Sequence, residues 1–255
     1  MNQSAAPKVN ICGTGISNVS LPETMLLFDQ WIETRQKKRI CVTPVNCVLW
    51  AAHNPTLQNL YNEADLTLCD GVPLIWASKL LGSPLKGRVT GLDLLPQYLK
   101  HTSQKGYSNF FLGAKPGIAA LLQKKYEQDY PYIRISGIYS PLFAEKFSEE
   151  ENLKMIGLIN EAKPDIVWVS LTAPKQDYWI YEHIQSLDAK IVIGIGGAFE
   201  VAAGTIPRAP MFMQKNGLEW LYRLYKEPTR LFKRYLIEAP AFIPLVIKQW
   251  FKQRK

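Results

Sequence analysis

The sequence predicts an α/β protein, Rossmann-like, with a mainly parallel sheet, flanking helices and a helical C-terminal appendage. Three observations carry that expectation. Seven short apolar runs alternate with longer segments of helical pattern over residues 1–204, the arrangement that βαβ crossovers impose. After Gly204 the alternation stops, and short aromatic, basic helices separated by prolines take over. The net charge of +8 lies in that last part: residues 205–255 carry eleven Lys/Arg against three Asp/Glu, and residues 1–204 carry nineteen of each. The expected division is therefore an α/β core over 1–204 and a basic, aromatic appendage over 205–255.

Taken in order, Lys8–Cys12 reads as a first strand, followed by Gly13-Thr14-Gly15 and a helix from Pro22 to about Lys37. The G-T-G run partly matches the dinucleotide fingerprint G-x-G-x-x-G. Asn18 stands where the third glycine belongs, and the next strand, Arg39–Thr43, leads to Pro44 and not to an acid that would hold a ribose. The run reads as a plain strand-to-loop turn. A nicotinamide-dependent oxidoreductase stays an alternative, resting on Gly13 and Gly15. Asn54-Pro55 opens a helix to Asn62, Leu66–Cys69 is a short strand, Asp70-Gly71 breaks it, and Val72–Leu81 resumes as a helix. Lys86–Gly91 is a basic, glycine-flanked loop before a helix through Leu99. Asn109–Leu112 is a strand, with a helix from Pro116-Gly117 through Glu127, and Ile133–Ser136 is the next strand. Ser148–Glu151 is a capping-box start for a helix to Ala162. Asp165–Val169 leads into Ala173-Pro174-Lys175-Gln176 and a helix to Leu187, and Lys190–Ile195 ends in Gly196-Gly197. In the appendage, Asn216 is expected to cap Gly217–Lys226, Pro228 to interrupt, Thr229–Glu238 to form a second helix and Pro240 to break again.

Composition narrows the class. An apolar fraction of 47% and a charged fraction of 20% suit a globular protein, and 255 residues can bury a sizeable core. No stretch approaches the roughly 20 apolar residues that cross a bilayer, and the start lacks the basic-then-apolar pattern of a signal peptide. The four cysteines form no C-x-x-C pair, and three lie in or beside buried strands, as reduced thiols of a cytoplasmic protein do. Nine aromatics among the cations of the appendage suit an anionic membrane surface. Trp220 and Tyr225 are expected to pack on the sheet, and Trp250, Phe251 and the terminal cations to meet the membrane. The other partner class for a basic, aromatic tail is nucleic acid, which a non-enzymatic binding module would use.

Chemistry-bearing residues gather at the strand exits, which in a parallel sheet converge on one edge. They are Thr43, Asn46, Asp70 with Gly71, Gln176, and Gly196 with Gly197. Asp70 taken alone reads first as a cap for the helix that follows. Arg88 and its loop offer a guanidinium and backbone N–H groups to phosphate oxygens, or form a solvated loop. Arg230 and Arg234 are four residues apart on one helical face, and Arg223 approaches from the helix before. Together they make a diphosphate clamp, or they pair at the surface with Glu219 and Glu227. The sequence has no H-E-x-x-H, Cys/His quartet, D-x-D, G-x-S-x-G elbow or P-loop, so no metal site is expected. His53, His101 and His183 read as helix residues.

Several long blocks are similar to one family. ADLTLCDGVPLIWASKLLG, KGRVTGLDLL, FFLGAKPG, KPDIVWV followed by APKQDYWI, IGIGGAFEVAAGTIPRAP and GLEWLYRLYKEPTRLFKRYL together resemble the WecG/TagA/CpsF family of bacterial glycosyltransferases, in order from about Lys38 to Ala239. The resemblance implies an inverting, metal-independent transfer from a UDP-activated sugar, commonly of N-acetylmannosamine type, onto an undecaprenyl-diphosphate-linked sugar. It implies no cofactor, a place at the inner face of the plasma membrane, and an appendage that helps complete the active site. The sequence leaves the oligomeric state open, a homo-oligomer included. By the family's motifs, Asp70 falls on the proposed general base. Asn46 matches the family's Thr-x-Asn element, with Thr43 one place early and Pro44 in the threonine's position. Gln176 matches the P-K-Q-E motif, here Pro174-Lys175-Gln176-Asp177, and Ser170 and Thr172 replace glycines that usually precede it. The family's appendage arginines fall on Arg223 and Arg230, with Arg234 or Lys233 as the third.

Overall fold

The computed structural model describes residues 6–254, the side chains of Lys215 and Arg230 excepted. Six strands, β3 (Lys38–Pro44), β4 (Leu66–Asp70), β5 (Ser108–Gly113), β6 (Arg134–Tyr139), β7 (Ile166–Ser170) and β8 (Ile191–Gly194), form one sheet in the order β4-β3-β8-β7-β5-β6. Every neighbouring pair is parallel, so all six carboxyl ends share an edge. The chain before them differs from expectation. β1 (Lys8–Ile11) and β2 (Thr14–Ser17) pair antiparallel as a separate hairpin closed by Cys12-Gly13. Both turn residues have positive φ, +52° and +89°, as a two-residue turn of the I′ type requires. Gly13 and Gly15 therefore build a hairpin, not the mouth of a nucleotide-binding βαβ unit, and the nicotinamide reading loses its anchor.

Helices cover both sheet faces. α1 (Leu21–Glu33) begins at a capping box of Ser20 and Glu23. α2 (Val45–Ala52) leaves β3 directly, where the sequence reading had only a strand exit, and α3 (Pro55–Asn62) starts on Asn54, whose side chain accepts from the Leu57 N–H. Next come α4 (Val72–Leu80), α5 (Gly91–Lys105), α6 (Ile118–Asp129), α7 (Glu149–Ala162), α8 (Lys175–His183) and α9 (Ala198–Ala202). The period-2 alternation of a strand decides which core each residue joins. Phe111, Trp168 and Ile193 pack under α1, α5, α6 and α9, while Phe110, Val169 and Val192 pack under α7 and α8.

The appendage holds α10 (Met211–Lys215), α11 (Glu219–Lys226), α12 (Pro228–Phe232) and α13 (Phe242–Lys252). Asn216 does not cap α11; its side-chain amide donates to Phe212 O, and Leu218 occupies the cap. Pro228 does interrupt the helix, with Glu227 at φ −133°. Pro240 does not break the chain. A π-helical turn over Lys233–Glu238 and a 3₁₀ turn over Ala239–Ala241 shift the hydrogen-bond register, and the backbone stays right-handed into α13.

α13 docks on the hairpin. Phe242 and Val246 are buried in a cluster with Val9, Ile11, Val48 and Leu74, and Gln249 accepts from the Cys12 N–H and donates to Asn10 O. Trp250 joins this cluster, with Arg254 stacked 4.0 Å over its ring, while Tyr225 is 78% exposed. Trp250 therefore packs where it was expected to stay free, and Tyr225 is free where it was expected to pack, because the hairpin, unread in the sequence, is what α13 packs on. Phe242→Ala should cost about 3 kcal/mol by emptying that cluster; a denaturant midpoint unchanged from wild type would show that α13 is not anchored this way.

Candidate active site

Asp70 is the last residue of β4, paired with Pro44 of β3, at the edge where the strands end. Gly71 follows at φ +140°, a conformation that L side chains rarely adopt, so the chain turns sharply there. α4 is capped by Gly71 with no side-chain bond, so Asp70 is not spent as a helix cap. Its carboxyl is half-buried and pushed up to about 6. Burial is the largest cause, offset by Arg223, Arg234 and Arg88, with Glu219 adding to the rise. The acid therefore has two appendage arginines and a core arginine around it, and desolvation still outweighs their attraction.

Asn46 lies in the first turn of α2 and ties the appendage to this edge. Its amide donates to Glu238 Oε2 at 3.0 Å and to Arg234 O at 3.3 Å, and its oxygen accepts from Arg234 Nε at 3.3 Å. Gln176, buried at the start of α8, accepts from the Gly196 N–H at 3.0 Å. Ser170 Oγ donates to Gly196 O at 2.6 Å, so Gly196 is held at both its N–H and its carbonyl at the exit of β8. Gly197 keeps a gap open: a Cβ there would stand 3.9 Å from Arg223 Nη2 and 3.7 Å from Glu200 Oε2. Arg223 Nε and Glu200 Oε2 are both buried without a hydrogen-bond partner. A donor and an acceptor left unmade beside one gap are what a polar ligand would satisfy.

Not every expected residue joins this group. Thr43 is fully buried, and its hydroxyl donates to Cys41 O within its own strand. Lys175 donates to Ala144 O at 2.7 Å and lies over the rings of Phe143 and Phe147, so its cation is engaged there. Arg88 reaches Asp70 electrostatically but donates to Gln214 O at 3.2 Å and lies 3.8 Å from Glu219, so its loop grips the appendage. Arg230 falls outside the described side chains.

Four residues were missed or misplaced by the sequence reading. Glu219, taken there as a surface partner for the arginines, is 7% exposed and joins Arg88 to Arg208. Arg208 also pairs with Asp93 and donates to Leu92 O, fastening the first appendage residues to α5. The only signal for Glu200 was its place in the first helical turn after Gly196-Gly197. Asp177, beside Gln176, is fully buried and pushed up to about 7 by burial; Tyr61 donates to one oxygen at 2.9 Å and the other has no partner. Among the described residues no three His, Cys, Asp or Glu side chains group as a metal site.

A protein of Bacillus spizizenii named N-acetylglucosaminyldiphosphoundecaprenol N-acetyl-beta-D-mannosaminyltransferase is 31% identical over 198 residues, 78% of this chain and 74% of that protein. Proteins of the same name from Staphylococcus aureus strains MRSA252 and MW2 are 28% identical over 255 residues, 99% of this chain and 97% of each. The model of the glycosyl transferase WecG/TagA/CpsF family matches residues 9–255, so the chain belongs to that family and is a glycosyltransferase.

Proposed function

We propose that the protein moves an N-acetylmannosamine-type sugar from a UDP donor to an undecaprenyl-diphosphate-linked N-acetylglucosamine. The observation that carries this reading is the placing of one half-buried carboxylate among appendage arginines at the strand exits. Asp70 takes the proton of an acceptor hydroxyl as that oxygen bonds to the anomeric carbon. The bond from that carbon to the diphosphate breaks, its electron pair leaves with UDP, and configuration inverts. Arg223, Arg230 and Arg234 meet the charge developing on the diphosphate, a task metals perform in other sites. Asn46 and Gln176 orient the sugars.

The reading places the protein in the cytoplasm, peripheral on the inner face of the plasma membrane. No helix among the described residues is long and apolar enough to cross a membrane. Phe232, Ile237, Ile243, Ile247 and Phe251 are exposed on the appendage near its cations, as a surface-docking face requires.

A panel of UDP-sugars, offered with a polyprenyl-diphosphate N-acetylglucosamine acceptor, tests the reading. UDP-N-acetylmannosamine should be the best donor, and turnover should persist in excess EDTA. Preference for another sugar would overturn the donor assignment, and loss of turnover on chelation would overturn the arginine role.

A further inference from the structure

Beside Asn46 a groove of about 550 Å³ runs between the core and the appendage, a volume typical of ligand sites. Its walls are Leu49, Trp50 and Leu57 on one side, Pro174 and Tyr178 on another, and Ala241 from the appendage. Asn46, Leu49 with Trp50, and His53 follow one another at three- and four-residue steps, so the groove runs along one face of α2 away from Asn46. Glu238, the one carboxylate in its lining, sits at the near end, where it accepts from Asn46. At the far end the Tyr178 hydroxyl accepts from Asn54 Nδ2 at 3.3 Å, leaving its ring to the wall.

We propose that this groove receives the first isoprene units of the lipid-linked acceptor. The inference rests on the acceptor class proposed above. An amphiphile whose polar head reacts beside Asp70 must carry its hydrocarbon away over an adjoining surface, and that surface needs no hydrogen-bonding groups. The groove meets both conditions. Its Glu238 end meets Asn46, which also bonds Arg234 beside the acid, and its lining is mostly aromatic and aliphatic, with His53 and Asn54 as the other polar groups. Ile237 and Ile243, before and after Ala241 in the chain, are exposed and belong to the face assigned to the membrane. The head would thus sit at the strand exits while the chain passes between α2 and the appendage toward lipid.

The test uses two acceptors with the same N-acetylglucosamine-diphosphate head, one with an undecaprenyl tail and one with a hexyl tail. The wild-type protein should show a KM about tenfold or more lower for the undecaprenyl acceptor. Ala241→Trp, which fills the groove, should bring the two values within about twofold while the donor KM stays unchanged. Because that variant could misfold, a second measurement uses the wild-type chain. An acceptor with a diazirine on its first isoprene unit should label the peptides holding Trp50 or Tyr178. An undiminished tail preference in Ala241→Trp overturns the proposal, as does label confined to 243–251 or to a contact between two copies. No transfer to either acceptor overturns the functional reading itself, whereas transfer with tail-blind kinetics overturns the groove alone.

Discussion

Asp70→Asn is expected to lower kcat by about 10³-fold, within the span that a general base contributes, and at the same time to raise the thermal midpoint at pH 8. The two effects share one cause. In the unfolded chain this carboxyl ionises near its ordinary 3.8; in the fold, burial pushes it up to about 6. Ionisation is therefore harder in the native state, and at pH 8, where both states are ionised, the charge costs stability. That cost is absent below the unfolded value and grows as pH rises through the folded one. Asparagine keeps the shape and removes the charge, so the variant should be far slower and more heat-resistant, the trade-off expected of a functional group held in an unfavourable place. Calorimetry at pH 8 and at pH 4 checks the sign, because the gain should shrink at the lower value. An Asp70→Asn protein that melts below wild type at pH 8 would show that the arginines, not burial, dominate this acid.

Arg223→Gln should lower kcat by about 10²-fold, the loss seen when one preorganised stabiliser of developing charge is removed. Among the groups that ease the ionisation of Asp70, Arg223 is the strongest, and its Nη2 borders the gap above Gly197. Lysine in its place should recover only part of the loss, since an ammonium lacks the planar fork that grips two phosphate oxygens. Glutamine should also weaken UDP binding, measured by titration calorimetry. Unchanged UDP affinity with unchanged kcat would remove Arg223 from the site.

What the sequence made legible follows from how much of each signal is local. The Asp70-Gly71 corner is written in two adjacent residues, an acid at the end of an apolar run and the one residue suited to φ +140°. All six parallel strands are short apolar runs flanked by turn residues, and all were found, five within one residue of their ends, while β6 runs three residues beyond the expected Ser136. α2 was invisible for the opposite reason. In VNCVLWAA only Asn46 is polar, six of the eight residues are buried, and a helix wrapped on most sides shows no apolar stripe. The hairpin hid behind a glycine pattern shared with nucleotide-binding turns, and only the antiparallel pairing of Val9 with Ile16 decides between them. The latch from Asn46 to Arg234 and Glu238 spans about 190 residues of chain, and the π-turn that presents those two side chains leaves no mark in residue spacing. Glu219 was misplaced because its burial depends on Arg88, far earlier in the chain, and on Arg208, 11 residues before it across a bend that residue spacing does not show.

The most direct test of the account is the pH dependence of kcat/KM for wild type and for Arg223→Gln, measured side by side with the same donor and acceptor. If Asp70 is the base and Arg223 stands beside it, the wild-type profile rises on the acid side with an inflection near pH 6, and in Arg223→Gln that inflection moves to higher pH because the cation favouring the carboxylate is gone. An acid limb that stays in place when Arg223 is replaced, or one that survives in the residual activity of Asp70→Asn, contradicts it.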